Sequence, residues 1–144
     1  MTRDQATAVL EAAIPVAREF FLLDPRWDVR FHFVEESPQG LEVEVKAQYF
    51  KANIACAPII YDRVADLWRD VGHEIAHIAT AELITLERYL KAHLELDEED
   101  SPPSLLKAYF GDAIESVTSR LEAMFAKERP CPLEEFEVRR KVSK

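Results

Sequence analysis

Two periodicities divide the chain. Over residues 3–22, Ala6, Val9, Leu10, Ala13, Ile14 and Ala17 recur at intervals of three and four, and Phe20 and Phe21 continue the series. This spacing predicts an amphipathic helix with one buried face. Pro15 falls inside it and lacks an N–H, which predicts a kink or a restart. Leu23-Asp24-Pro25 ends the segment.

The period then changes to two. Trp27, Val29, Phe31 and Phe33 alternate with Asp28, Arg30 and His32, so residues 27–35 predict a half-buried strand with His32 on its solvated face. Ser37-Pro38-Gln39-Gly40 reads as a turn. Residues 41–45 alternate again, with Glu42 and Glu44 outward, and the pattern can extend to Phe50. The two runs are expected to pair as a hairpin. Lys51-Ala52-Asn53 reads as a second break. Residues 54–61 form a short apolar run whose Pro58 predicts an edge or strand-end position.

Helical spacing returns over residues 62–93, with Asp62 placed to cap the first turn. Leu67, Val71, Ile75, Ile78, Leu83, Leu86 and Leu90 belong to a broad apolar stripe, which suits a helix buried along much of its length. Gly72 interrupts it at a cost of about 1 kcal/mol relative to alanine. Two readings stay open there: close packing against another backbone, or room beside His73 for a bound strand. An acidic, proline-ended connection covers 96–103. Ser104 is placed to cap a last helix to about residue 127, on which Ile114, Leu121 and Phe125 are among the apolar positions. After Pro130 the chain turns acidic and then basic. One domain is therefore expected over 1–129, followed by a tail at 130–144.

Composition narrows the function. A net charge of −9 argues against binding the nucleic-acid backbone. Cys56 and Cys131 are too few for a disulfide framework or a cysteine-rich zinc site. No apolar run reaches membrane-spanning length and no leader-type segment opens the chain, so no membrane partner and a cytoplasmic location are expected.

The chemistry concentrates at His73-Glu74-Ile75-Ala76-His77. Residues four apart lie on one helix face, so both imidazoles can reach one zinc ion. Zinc brings the pKa of a bound water to about 7, and Glu74 is placed to accept that water's proton as general base. A catalytic zinc site needs a third protein ligand. Thr80 and Leu83 stand where a metzincin would carry Gly and His, which excludes that class. His93 lies sixteen residues beyond His77, about 24 Å along the helix, too far to share the ion. The last helix offers Asp112, Glu115 and Glu122, and the helical wheel puts Glu115 and Glu122 on one flank without choosing between them. Tyr61, Tyr89 and Tyr109 are candidates to stabilise a transition state, Tyr109 being favoured for its nearness to Glu115 on the same helix.

With this motif, an acidic residue on a later helix and a helix-then-hairpin first half, the chain resembles small gluzincin-type zinc metallopeptidases. More narrowly, it resembles the compact ones encoded by phages and prophages. The likeness covers residues 1–127 in layout, and only the five-residue motif is specific. It implies an α+β, zincin-like fold: an N-terminal helix, a small twisted sheet, an active-site helix and a following helix carrying the third ligand. It also implies Zn2+ held by His73, His77 and Glu115, with Glu74 as base, hydrolysis of a peptide or protein substrate, and a host cytoplasmic location. One departure is Asp70, three before His73, where such peptidases often carry a small uncharged or β-branched residue. In this reading residues 54–61 are the edge strand along which an extended peptide lies. The alternative is a non-catalytic module in which zinc staples two helices of a protein-binding domain.

Overall fold

Thr2 starts the first helix. Its hydroxyl accepts the N–H of Gln5 while the Gln5 side chain accepts the N–H of Thr2, a reciprocal cap that satisfies two otherwise unpaired donors. Helix α1 then runs from Arg3–Phe20 without a restart at Pro15. Glu11 and Pro15 both lie on its exposed side, where water can serve the carbonyl that proline leaves unpaired. A computed structural model describes residues 1–93 and 103–133, with side-chain surroundings given for 1–81 and 111–133.

Strands β1 (Asp28–Phe33), β2 (Leu41–Lys46) and β3 (Lys51–Cys56) form one mixed sheet in the order β1-β3-β2. The expected β1–β2 hairpin is not formed. β3 lies between them, parallel to β1 with Phe31 opposite Ile54, and antiparallel to β2 with Val43 opposite Ile54. The segment expected to break at Lys51 and to run as an edge strand to Tyr61 is thus the central strand, and it ends at Cys56. Burial gives the reason. Ala52, Ile54 and Cys56 are fully or almost fully buried, and a strand with a neighbour on each side shields them best. Pro58 follows in a short 3-10 turn, where its missing N–H costs no sheet bond. Beyond Lys46 the second strand does not continue to Phe50. A 3-10 turn at Ala47–Tyr49 and a left-handed Phe50 (φ 50°) reverse the chain into β3.

Helix α2 (Val64–His93) begins two residues after Asp62, so Asp62 is not the residue directly before the helix. Val64, Leu67, Val71, Ile75 and Ile78 are buried within a single core that also takes in Leu10 of α1 and Ile54 of β3. Helix α3 (Pro103–Glu128) packs along α2 and is anchored by Phe125, which is fully buried against Phe20, Phe21 and Trp68. Gly72 makes this approach possible. A Cβ at position 72 would stand 2.3 Å from the Phe125 ring, so the space at Gly72 is taken by close packing, against a side chain and not against another backbone.

Among the described residues the fold is therefore α+β, with three helices and a small three-stranded sheet. Cys131 and Leu133 still pack on the core. The acidic connection expected before Pro103 and the charged tail from residue 134 lie outside the described residues. No helix among the described residues is long and apolar enough to cross a membrane.

Candidate metal centre

α2 and α3 run antiparallel, and this fixes which residues meet. Phe125 seats on Gly72, and the Trp68 indole N–H donates to the Arg129 carbonyl at 2.8 Å. With that end pinned, moving back along α3 means moving forward along α2. Glu122 reaches His73 and, two turns away, Glu115 reaches His77. The seven-residue spacing keeps both glutamates on one face of α3.

The two histidines turn their Nε2 atoms towards each other at 3.0 Å. Glu115 Oε1 lies 3.5 Å from His77 Nε2. One donor atom from each of His73, His77 and Glu115 falls within 4.8 Å of the others. A tetrahedral ion with bonds of about 2.0–2.1 Å separates its ligand atoms by about 3.3 Å. These two separations bracket that value, and the remaining pair of donors lies within 4.8 Å. The donor set, two imidazoles and a carboxylate, suits zinc.

Glu122 plays a different part from Glu115. Its Oε2 lies 2.9 Å from His73 Nδ1, on the side of the ring away from His77. At neutral pH a carboxylate only accepts, so Nδ1–H donates and the lone pair of Nε2 points to the shared centre. Two Nε2 lone pairs cannot rest 3.0 Å apart unless a proton or a cation lies between them. Burial, with the neighbouring His73, holds the His77 pKa below its usual range and favours the neutral, ligating form.

Glu74 is 8% exposed. Its carboxylate accepts a hydrogen bond from the backbone N–H of Val43 on β2. Burial pushes its pKa up to about 7, against the opposing pull of His73 and the Val43 N–H. A carboxyl titrating there is suited to taking up and releasing protons at neutral pH. Glu74, His73, His77, Glu115 and Glu122 all line one open cavity of about 1270 Å³ between β2 and the α2–α3 pair.

Four of the sequence-derived site residues, His73, Glu74, His77 and Glu115, are thus brought together. Tyr61 is not free to act there. It is 4% exposed, it lies outside the cavity wall, and its hydroxyl donates to Asp70 Oδ2 at 2.9 Å. The side chains of Tyr89 and Tyr109 lie outside the described residues. Sequence reasoning missed Arg69, whose Nε lies 3.1 Å from Glu122 Oε1. A signal was present: position 69 is four before His73, on the same helix face.

No family model, curated protein or solved structure matches the chain.

Proposed function

We propose that the chain is a zinc-dependent peptidase of zincin-like architecture, with His73, His77 and Glu115 as metal ligands and Glu74 as general base. The observation that carries this reading is the convergence of the three donor atoms beside a buried carboxyl in one open cavity. A zinc ion on these donors would supply a Lewis acid for the scissile carbonyl and acidify a water. Glu74 takes the proton of the attacking water and hands it to the leaving nitrogen. The Val43 N–H keeps the carboxylate turned towards β2 between these steps.

The sheet supports the same reading. β2 pairs with β3 along one edge, and among the described residues its other edge borders the cavity. An extended peptide laid along β2 would gain main-chain hydrogen bonds there. β2 therefore takes the role first expected of residues 54–61. Trp27, Val45, Ala47 and Phe50 give this side of the cavity an apolar wall. The same arrangement also supports a zinc staple, because the donors come from two helices, α2 and α3.

The deciding experiment measures zinc content and chelator-sensitive cleavage of an unfolded protein at neutral pH, for wild type and Glu74→Gln. Bound zinc in both, with cleavage by wild type alone, supports the peptidase. Bound zinc with no cleavage of any unfolded chain or peptide library by either form transfers the reading to the staple. Wild type without zinc overturns both.

A further inference from the structure

We infer that Arg69 and Asp70 are positioning residues that hold Glu122 against His73 and so fix the direction of the His73 lone pair. The inference rests on the proposed metal site.

The chain of bonds can be followed from a rigid point. Tyr61 is buried, and its ring lies so close under Gly40 that a Cβ at position 40 would stand 2.6 Å from its hydroxyl. That hydroxyl donates to Asp70 Oδ2 at 2.9 Å. The other oxygen of Asp70 accepts from Arg69 Nη2 at 3.1 Å. Arg69 Nε lies 3.1 Å from Glu122 Oε1, and Glu122 Oε2 accepts from His73 Nδ1 at 2.9 Å. The Arg69 Nε–H itself donates to Asp70 Oδ1 at 3.3 Å, so one oxygen of Glu122 is held by an ion pair with Arg69 and the other by the hydrogen bond from His73. Asp66 stands further off, 3.7 Å from Arg69.

The bland reading is an ordinary surface ion pair, since the Arg69 side chain is 47% exposed. Pairs of that kind add little to stability. What distinguishes this one is its geometry. A single guanidinium lies between Asp70 of α2 and Glu122 of α3, two carboxylates that would otherwise repel each other across the contact between the helices. Removing Arg69 releases Glu122 from one side and repels it from the other, and His73 loses the acceptor that sets its tautomer. Outer partners of metal-ligating histidines typically alter affinity about 10–100-fold. A planar fork can serve two acceptors at once, whereas the single ammonium of lysine cannot do so with the same geometry. Asp70, anomalous beside a metal motif, acquires a reason: it ties the guanidinium to the buried Tyr61 ring.

The test uses the full chain with Arg69→Gln, Arg69→Lys, Asp70→Asn and Glu122→Gln. Zinc affinity is measured by competition with a chelating dye. The His73 tautomer of the metal-free protein is read from nitrogen-15 shifts at pH 8. Melting temperatures of the metal-free forms monitor the fold. Arg69→Gln should weaken zinc about tenfold and reduce the Nδ1–H population of His73, with melting within a few degrees of wild type. Arg69→Lys should recover only part of the affinity, and Asp70→Asn should shift it in the same direction by less. Zinc affinity within twofold of wild type and an unchanged tautomer in Arg69→Gln would overturn the inference, as would a loss of affinity that merely follows a collapse in melting temperature. Should wild type take up no zinc, the metal site itself fails, and the tautomer comparison still decides whether Arg69 positions His73.

Discussion

The ring of Phe125 occupies the space that a side chain at position 72 would need: a Cβ there would meet it at 2.3 Å. In an open helix, Gly→Ala gains about 1 kcal/mol. Here the sign should reverse. Overpacking of a well-filled core typically costs about 1–3 kcal/mol, and Phe125 is hemmed in by Phe20, Phe21 and Trp68. Gly72→Ala should therefore lower the urea midpoint. By pushing α3 outward it should also weaken zinc binding, because Glu115 and Glu122 move with that helix. A midpoint at or above that of wild type would show that the ring has room to yield.

Ligand and support should separate in strength. His73→Ala and His77→Ala should abolish zinc binding. Glu115→Ala should weaken it more than Glu122→Ala, whose loss should cost about 10–100-fold. Zinc titrations of the four variants under one buffer provide the comparison. A larger loss at Glu122 would make that residue the third ligand.

Glu74→Gln preserves size and removes the proposed base. It should retain stoichiometric zinc and near-normal folding while peptide cleavage falls by about 10²–10⁴-fold. Cleavage that persists undiminished in this variant would remove Glu74 from the reaction.

The core offers a test of the fold that is independent of metal. Cys56 on the central strand is fully buried, and burial pushes its thiol up from 9.0 to about 11, whereas Cys131 is partly exposed. A thiol reagent at pH 8 should label the native chain once and the urea-unfolded chain twice. Because the folded pKa is raised, this group's stability contribution is complete below pH 9 and is lost as the pH rises through about 11. Wild type should therefore lose stability relative to Cys56→Val across that window. Rapid double labelling of the native chain would contradict a central β3.

The helices were legible in the sequence because their signal is local. The stripes of α2 and α3 repeat over many turns, and the spacing of His73 and His77 carries its own geometry. Strand order was not legible. The polar residues Lys51 and Asn53 suggested a break, yet Ala52, Ile54 and Cys56 already alternated inward. What assigns them to the sheet centre is pairing with two distant partners, which no local pattern records. The choice between Glu115 and Glu122 was open for a related reason. Glu115 and Glu122 share a face, and only the seating of Phe125 on Gly72 sets the register that brings one to His77 and the other to His73.

The division of the centre between α2 and α3 has a consequence in time. During synthesis the ribosome adds about 5–20 residues per second, and chains emerge N-terminus first. His73, Glu74 and His77 are added to the chain seconds before Glu115 and Glu122. Through that interval the nascent chain carries the two imidazoles and Glu74 but neither glutamate of α3. On the peptidase reading proposed above, a newly made copy cannot act on its neighbours until α3 docks, and completion of the packed body is what arms it.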